Sequence, residues 1–363
     1  MPTKARVAVL PQEKKPLIIE EVNLPDPGPN QVAIKQFASG ICHSQLHQIH
    51  REREHPVILG HESTGVVLKA GSNVTYVKEG DSVMVTWVQR DAANTDRRPE
   101  ASQLEVSEGL AKAVNVFTWA DHVLVDEQYV VKVSPDLKMD VTSILGCAVI
   151  TGAGAVAYTA KVQKGETIAI FGAGGVGLCA VAAAKKVGAS KIIAVDIADD
   201  KLEFAAKFGA THLINSAKED PIEAIHKITV QQGQYTNAGT LVSGVDYAFD
   251  CIGIKQTMEQ ILPACRTGQR VHRRGGTAVL IGVPSTTVEL SARDFVSNEK
   301  SFMGSLGGTE APCRTIPTFI DWYEQGDLDL DALVTARYSL DQINEAVSAL
   351  ENGEIAGRAI IEF

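Results

Sequence analysis

The chain has 363 residues, which at about 150 residues per domain points to two domains. Acidic residues outnumber basic ones by 44 to 34, for a formal net charge of −10; that excludes a nucleic-acid partner, which needs a basic surface to displace counterions from phosphates. Hydrophobic residues at 45% and charged residues at 21% make a globular mixture rather than a disordered one, and six scattered cysteines are too few for a disulfide scaffold, so a reducing, cytoplasmic setting is expected.

The N-terminus, MPTKARVAVLPQEKKP, has no apolar run of signal-peptide length. Val141 to Ala160 and Thr167 to Ala184 carry no charge and approach the ~20 residues of a spanning helix. Gly, Ala and Thr dominate both, so they read as buried interior, and no membrane partner is expected.

The first part of the chain reads as short β segments, ARVAV, PLIIEEV, QVAIKQFASG, GVVLKAG and DSVMVTWV, punctuated by Pro-Gly, Gly-Ser and Gly-Asp turns. No helix of convincing length is expected before about residue 140. Residues 88–113 are polar, charge-rich and without clear periodicity, which predicts an exposed loop or lobe. From Lys164 onward strands and helices alternate. TIAIF (167–171) precedes a small-residue helix (175–187), and KIIAVD (191–196) precedes DKLEFAAKFG. THLIN, a helix near 221–230, VDYAFD (245–250), another helix, TAVLIG (277–282) and KSFMGS (300–305) follow. Six strands with intervening helices predict an α/β fold with a doubly wound parallel sheet. Helical stretches at 316–325 and 341–352 and a closing RAIIEF come after it. The expected organisation is a mainly-β catalytic domain, residues 1–148 and 307–363, split around a nucleotide-binding domain at 149–306.

Gly172, Gly174 and Gly177 form a G-x-G-x-x-G directly after TIAIF and at the start of a helix, with Gly175 and Val176 between them. Gly172 permits the tight turn, Gly174 lets a pyrophosphate approach the backbone, and Gly177 allows close helix–strand packing. Asp196 ends the next strand, near the ~20-residue offset of a ribose-binding acid. Its charge would repel a 2′-phosphate and no arginine follows closely, so NAD is expected rather than NADP.

GICHSQLH (40–47), PVILGHE (56–62) and LGCAVITG (145–152) supply Cys42, His61 and Cys147. Two thiolates and one imidazole are a catalytic-zinc donor set that leaves a fourth position open. Taken singly, each residue also fits a small buried hydrophobe or a turn histidine.

GICHSQLH, GHE, GC-x₃-TG, GAGGVG, Asp196 and GRAIIEF, in this order along nearly the whole chain, resemble the zinc-dependent alcohol dehydrogenases of the medium-chain dehydrogenase/reductase superfamily. The resemblance implies a GroES-like catalytic domain with an inserted Rossmann domain, one catalytic zinc per chain on Cys42, His61 and Cys147, and NAD as acceptor. It implies that Ser44 bonds the substrate oxygen, that His47 is the outer end of a proton relay, and that Glu62 lies beside the metal. It places His43 and Arg358 at the cofactor pyrophosphate, Lys201 beside the adenosine ribose, Thr151 and Val176 on the nicotinamide, and Ile281 among the cofactor contacts. Trp87 and Trp119 are expected to wall the substrate pocket, and a homodimer is expected. The partner implied is a small alcohol or carbonyl compound. A hydroxymethyl-thiol adduct as substrate, a non-redox zinc lyase or isomerase, and a binding protein on the same scaffold are the alternatives. Two departures stand out. No cysteine lies between Cys42 and Cys147, where relatives with a second, structural zinc carry four. Gln45 replaces the aspartate that in the family orients a ligand histidine, so charge beside the zinc is lost.

Overall fold

The computed structural model describes residues 3–236, 239–269, 273–284 and 286–363. The chain divides into two compact units: Met1–Ala148, Ala311–Asp321 and Leu330–Phe363 form the first, and Val149–Glu310 with Trp322–Asp329 the second.

The first unit is built around the strand Gln31–Ile41. Its early residues pair antiparallel with His122–Asp126, its later ones with Arg358–Glu362, and its other edge with Glu62–Ala70. Ser82–Thr86 and Val130–Lys132 extend this sheet on one side and Val334–Ser339 on the other. A second sheet runs Ile18–Leu24, Thr3–Leu10, Val57–Ile58, Gly109–Lys112, Gln103–Val106. β-branched residues from both, among them Val7, Val9, Ile34, Val67, Val85 and Val123, form one buried cluster together with Phe117 from the segment before His122–Asp126. β-branched and aromatic side chains projecting from a pleated sheet pack well against their neighbours, which is why such segments prefer strands.

One expectation is refined here. Residues 88–113 are not a structureless lobe: Gln103–Val106 and Gly109–Lys112 form a hairpin, with Gly109 at φ +105° closing a two-residue turn. Each strand is only four residues long, and Leu104 and Ala111 alone are buried, too little to register as periodicity. The stretch before the hairpin is pinned by charge. Arg97 donates from its two Nη atoms to both oxygens of buried Asp126, at 2.6 and 2.8 Å, and Arg90 pairs with Glu127. Before residue 140 the described α-helix is Ser44–His50, seven residues, in keeping with the expectation of no helix of convincing length there.

The second unit holds a six-stranded, all-parallel sheet in the order His212–Asn215, Lys191–Asp196, Thr167–Phe171, Tyr247–Asp250, Thr277–Leu280, Ser301–Gly304. These are the six strands expected from sequence, in doubly wound order, joined through helices that include Gly175–Val187, Asp199–Phe208, Pro221–Thr229 and Lys255–Ala264. An antiparallel ribbon, Gln231–Tyr235 with Leu241–Val242, and a short helix, Ala292–Val296, are additions the pattern did not reveal. The uncharged stretch from Thr167 is a strand followed by a helix; the one from Val141 is three short helical turns, largely buried. Among the described residues no helix is long and apolar enough to cross a membrane.

Candidate metal and dinucleotide sites

Cys42 follows directly on the strand Gln31–Ile41, and His61 directly precedes the neighbouring strand Glu62–Ala70. Gly60 turns the chain into His61 at φ +90°, where a Cβ would stand 2.5 Å from Thr118 Oγ1. Cys147 ends the tight turn Val141–Gly146. One ligand atom from each of Cys42, His61, Glu62 and Cys147 falls within 4.8 Å of the others, and no other group of this kind occurs among the described residues. All are buried or nearly so.

Three observations fit this set to zinc. The two sulfurs are 4.0 Å apart, close to the about 3.8 Å that two Zn–S bonds of ~2.3 Å span at a tetrahedral angle. His61 Nε2 is buried with no hydrogen-bond partner. The protonation pattern also asks for a cation. The hydrogen bond from Cys147 holds the Cys42 thiol well below its ordinary range, and the same contact, with burial, pushes Cys147 well above it. Burial raises Glu62 to about 7 against the pull of Arg358. Burial opposes a charge on His61, but Cys42 outweighs it and raises the imidazole. A dication would take both thiolates and relieve all four groups.

Glu62 is fully buried, and its partner is Arg358, which bonds Oε1 through Nη2. Burial opposes the guanidinium charge as well, but Glu62 and the two cysteines raise its pKa. Inside the first unit one Nη of Arg358 thus serves the carboxylate beside the metal ligands, while its Nε is buried without a partner. The site also exposes a residue the sequence reading passed over. A Cβ on Gly40 would lie 2.4 Å from Glu62 Oε1, so that glycine makes the niche for the carboxylate. A glycine inside a β-branched strand was the available signal.

Ser44 Oγ donates to Cys42 Sγ at 3.3 Å. His47 is exposed on the same helix, edge-on to the exposed ring of His43 at 6.4 Å between centroids. Trp87 is half-buried, its carbonyl accepting from Asn115 Nδ2 at 3.0 Å. Trp119 is not a pocket wall. It is fully buried in the core with Leu10, Ile41 and Leu59, and its indole N–H donates to the Gly40 carbonyl at 3.3 Å.

In the second unit Gly172 has φ +100°, open to glycine, and a Cβ on Gly177 would sit 1.8 Å from the Gly172 carbonyl oxygen. A Cβ on Gly174 would meet nothing within 4 Å, the open space a pyrophosphate needs at the start of the helix Gly175–Val187. Gly175 and Val176 are half-buried in its first turn. Asp196 closes onto the same loop, accepting from Ala173 N–H at 2.8 Å through Oδ2 and from Ile197 and Ala198 N–H through Oδ1. Each carboxylate oxygen keeps a lone pair for a ribose hydroxyl or shares one. Lys201 and Ile281 are half-buried, on the helix after Asp196 and just after the strand Thr277–Leu280. Thr151 has a buried hydroxyl with no partner.

A GroES-like domain carrying two thiols and an imidazole, joined to a doubly wound nucleotide fold, defines a class of dehydrogenase. Residues 28–135 match the alcohol dehydrogenase GroES-like domain family and residues 175–325 the zinc-binding dehydrogenase family. The chain is 33% identical over its whole length to the whole of an "Alcohol dehydrogenase class-3" from Cereibacter sphaeroides. It is 31% identical, over 99% of this chain and all of the other, to an "S-(hydroxymethyl)glutathione dehydrogenase" from Escherichia coli. Benzyl alcohol dehydrogenase from Acinetobacter calcoaceticus superposes with a TM-score of 0.85 over 99% of each chain at 30% identity. The chain belongs to the zinc-dependent alcohol dehydrogenases of the medium-chain dehydrogenase/reductase superfamily. It is an oxidoreductase acting on alcohols.

Proposed function

We propose that this enzyme interconverts a primary or secondary alcohol and its carbonyl compound, with NAD as hydride acceptor and one zinc held by Cys42, His61 and Cys147. The observation that carries this is the buried donor set, with its 4.0 Å sulfur pair and orphaned imidazole nitrogen, in a chain of this family. When bound, zinc supplies a Lewis acid that makes an alcohol hydroxyl acidic enough to ionise near neutral pH. Two thiolates and an imidazole leave the loaded ligand set neutral, which moderates that acidity. Ser44, whose hydroxyl stands 3.3 Å from the Cys42 sulfur, takes the hydroxyl proton, and the exposed imidazole of His47 one turn along delivers it to water. Trp87 supplies an apolar wall. Asp196 accepts from the adenosine-ribose hydroxyls and repels a 2′-phosphate, and the helix starting at Gly175 receives the pyrophosphate.

The hydroxymethyl-thiol adduct is a second substrate to test, because a relative 31% identical carries that activity in its name. The oligomer proposed is a homodimer. Ser301–Gly304 is an edge strand of the six-stranded sheet, with Met303, Leu306 and Val296 exposed about it. A cytoplasmic setting accords with the sparse cysteines. The deciding experiment is NADH formation at its absorbance band across aliphatic, benzylic and hydroxymethyl-thiol alcohols. Turnover with at least one is expected; zinc-loaded enzyme inert to all of them would refute the reading.

A further inference from the structure

We propose that Gln45 decides which nitrogen of the His61 ring carries the proton, and that its carboxamide disfavours the metal-holding tautomer. The inference rests on the reading of His61 as a metal ligand. Gln45 is buried in the helix Ser44–His50, and its side chain lies between two groups. Its Oε1 accepts from the Gly60 N–H at 2.5 Å, and its Nε2 stands 2.7 Å from His61 Nδ1. The Gly60 N–H is a fixed backbone donor that only an oxygen satisfies, so the carboxamide has one comfortable orientation and it turns its NH₂ toward the imidazole.

A neutral imidazole carries one proton. Facing an NH₂ donor, Nδ1 must offer its lone pair, so the proton sits on Nε2, the buried atom without a partner that belongs to the group formed with Cys42 and Cys147. A metal on Nε2 needs the opposite tautomer, with the proton on Nδ1, where it would meet the NH₂ of Gln45. Turning the carboxamide over repairs that contact but sets the NH₂ against the Gly60 N–H. One donor–donor contact is exchanged for another. A carboxylate at position 45 would accept from both neighbours at once and have no such conflict. Gln45 therefore makes the metal-free ring comfortable and the metal-bound ring strained, and zinc binds less tightly and leaves faster than this donor set allows.

The test uses the full chain with and without zinc. In metal-free parent protein, ¹⁵N shifts of the His61 ring should report a proton on Nε2 and a lone pair on Nδ1; in Gln45→Glu the proton should be on Nδ1. Competition against a chromophoric chelator should show Gln45→Glu holding zinc about 10- to 100-fold more tightly, the range over which such outer partners act, with slower release. Gln45→Met, which keeps the volume and removes both polar groups, guards against misfolding of the charged variant and should hold zinc at least as well as the parent. A metal-free parent ring protonated on Nδ1, an unchanged zinc affinity in Gln45→Glu, or a 10-fold weakening in Gln45→Met would each overturn the proposal. If instead Cys42→Ala and the parent bind zinc equally, it is the ligand assignment that fails; the ring-tautomer measurement, made without metal, still judges Gln45.

Discussion

Gly40→Ala gives a sharp test of how the site is built. In the middle of a strand, replacing glycine by alanine stabilises a chain by roughly 0.5–1 kcal/mol, because less backbone freedom is lost on folding. Here the new Cβ would meet Glu62 Oε1 at 2.4 Å and Cδ at 2.5 Å, whereas ordinary contact begins at 3.4 Å. The carboxylate would have to move by about 1 Å, enough to break its bond to Arg358, and both groups are buried. Breaking a buried pair costs about 3–5 kcal/mol. Set against the backbone gain, the substitution should destabilise by about 2–4 kcal/mol. The three nearest atoms all belong to Glu62, so the penalty should vanish in a Glu62→Ala, Arg358→Met background. There Gly40→Ala should be neutral or stabilise by the backbone amount, a change of sign between the two arms. Guanidinium unfolding of zinc-loaded protein, followed at tryptophan emission, reads both arms, since Trp87 and Trp119 lie in this unit. An unchanged midpoint for Gly40→Ala in the parent, or the same loss in both backgrounds, would refute the niche.

Asp196→Ala should narrow the preference for NAD over NADP by weakening the first and removing repulsion against the second; each tenfold change in the kcat/KM ratio is ~1.4 kcal/mol, and an unaltered ratio would contradict the assignment. His47→Gln should slow alcohol oxidation most at low pH, by no more than about 100-fold, with partial recovery on adding imidazole; equal single-turnover rates at every pH would remove His47 from the relay. Elemental analysis should return one zinc per chain and none after Cys42→Ala or Cys147→Ala; two tightly held zincs would contradict the reading of the 43–146 interval. Asp246 accepts from Arg266 Nε and Arg273 Nη2, each at 2.6 Å, and from Thr167. Asp246→Ala strands the buried Arg266 and should cost about 3–5 kcal/mol by denaturant unfolding. Burial opposes the Asp246 charge, but Arg266, Thr167 and Arg273 outweigh it and hold the carboxyl below its usual range. Its contribution is thus full above the ordinary aspartate range and lost as pH falls through the lower folded value, so Asp246→Asn should flatten that acid limb.

The parallel sheet was legible because its strands are short, largely apolar runs that alternate with helical stretches. The hairpin at 103–112 was not, since four-residue strands with one buried side chain apiece carry too little alternation. Cys42, His61 and Cys147 could be marked in sequence, yet only the folded chain brings their ligand atoms within 4.8 Å. Trp119 was misplaced because an aromatic near a β run does not disclose which face it takes; its indole N–H found the Gly40 carbonyl, a partner remote in sequence. The bond from Arg358 to Glu62 was not legible for the same kind of reason. The arginine's motif is local, and the carboxylate it serves is 296 residues away.

That separation bears on how the protein is made. As the chain emerges from the ribosome, Glu62 appears 296 residues before Arg358, whose strand Arg358–Glu362 supplies the guanidinium and borders Ala38–Ile41. The whole run from Val149 to Glu310 is synthesised in between and holds its own complete sheet. The second unit can therefore mature while the first waits with an uncompensated buried acid and an open flank on its central strand. Nascent chains stalled before Arg358 should be captured by chaperones through the first unit, although that unit began synthesis earlier.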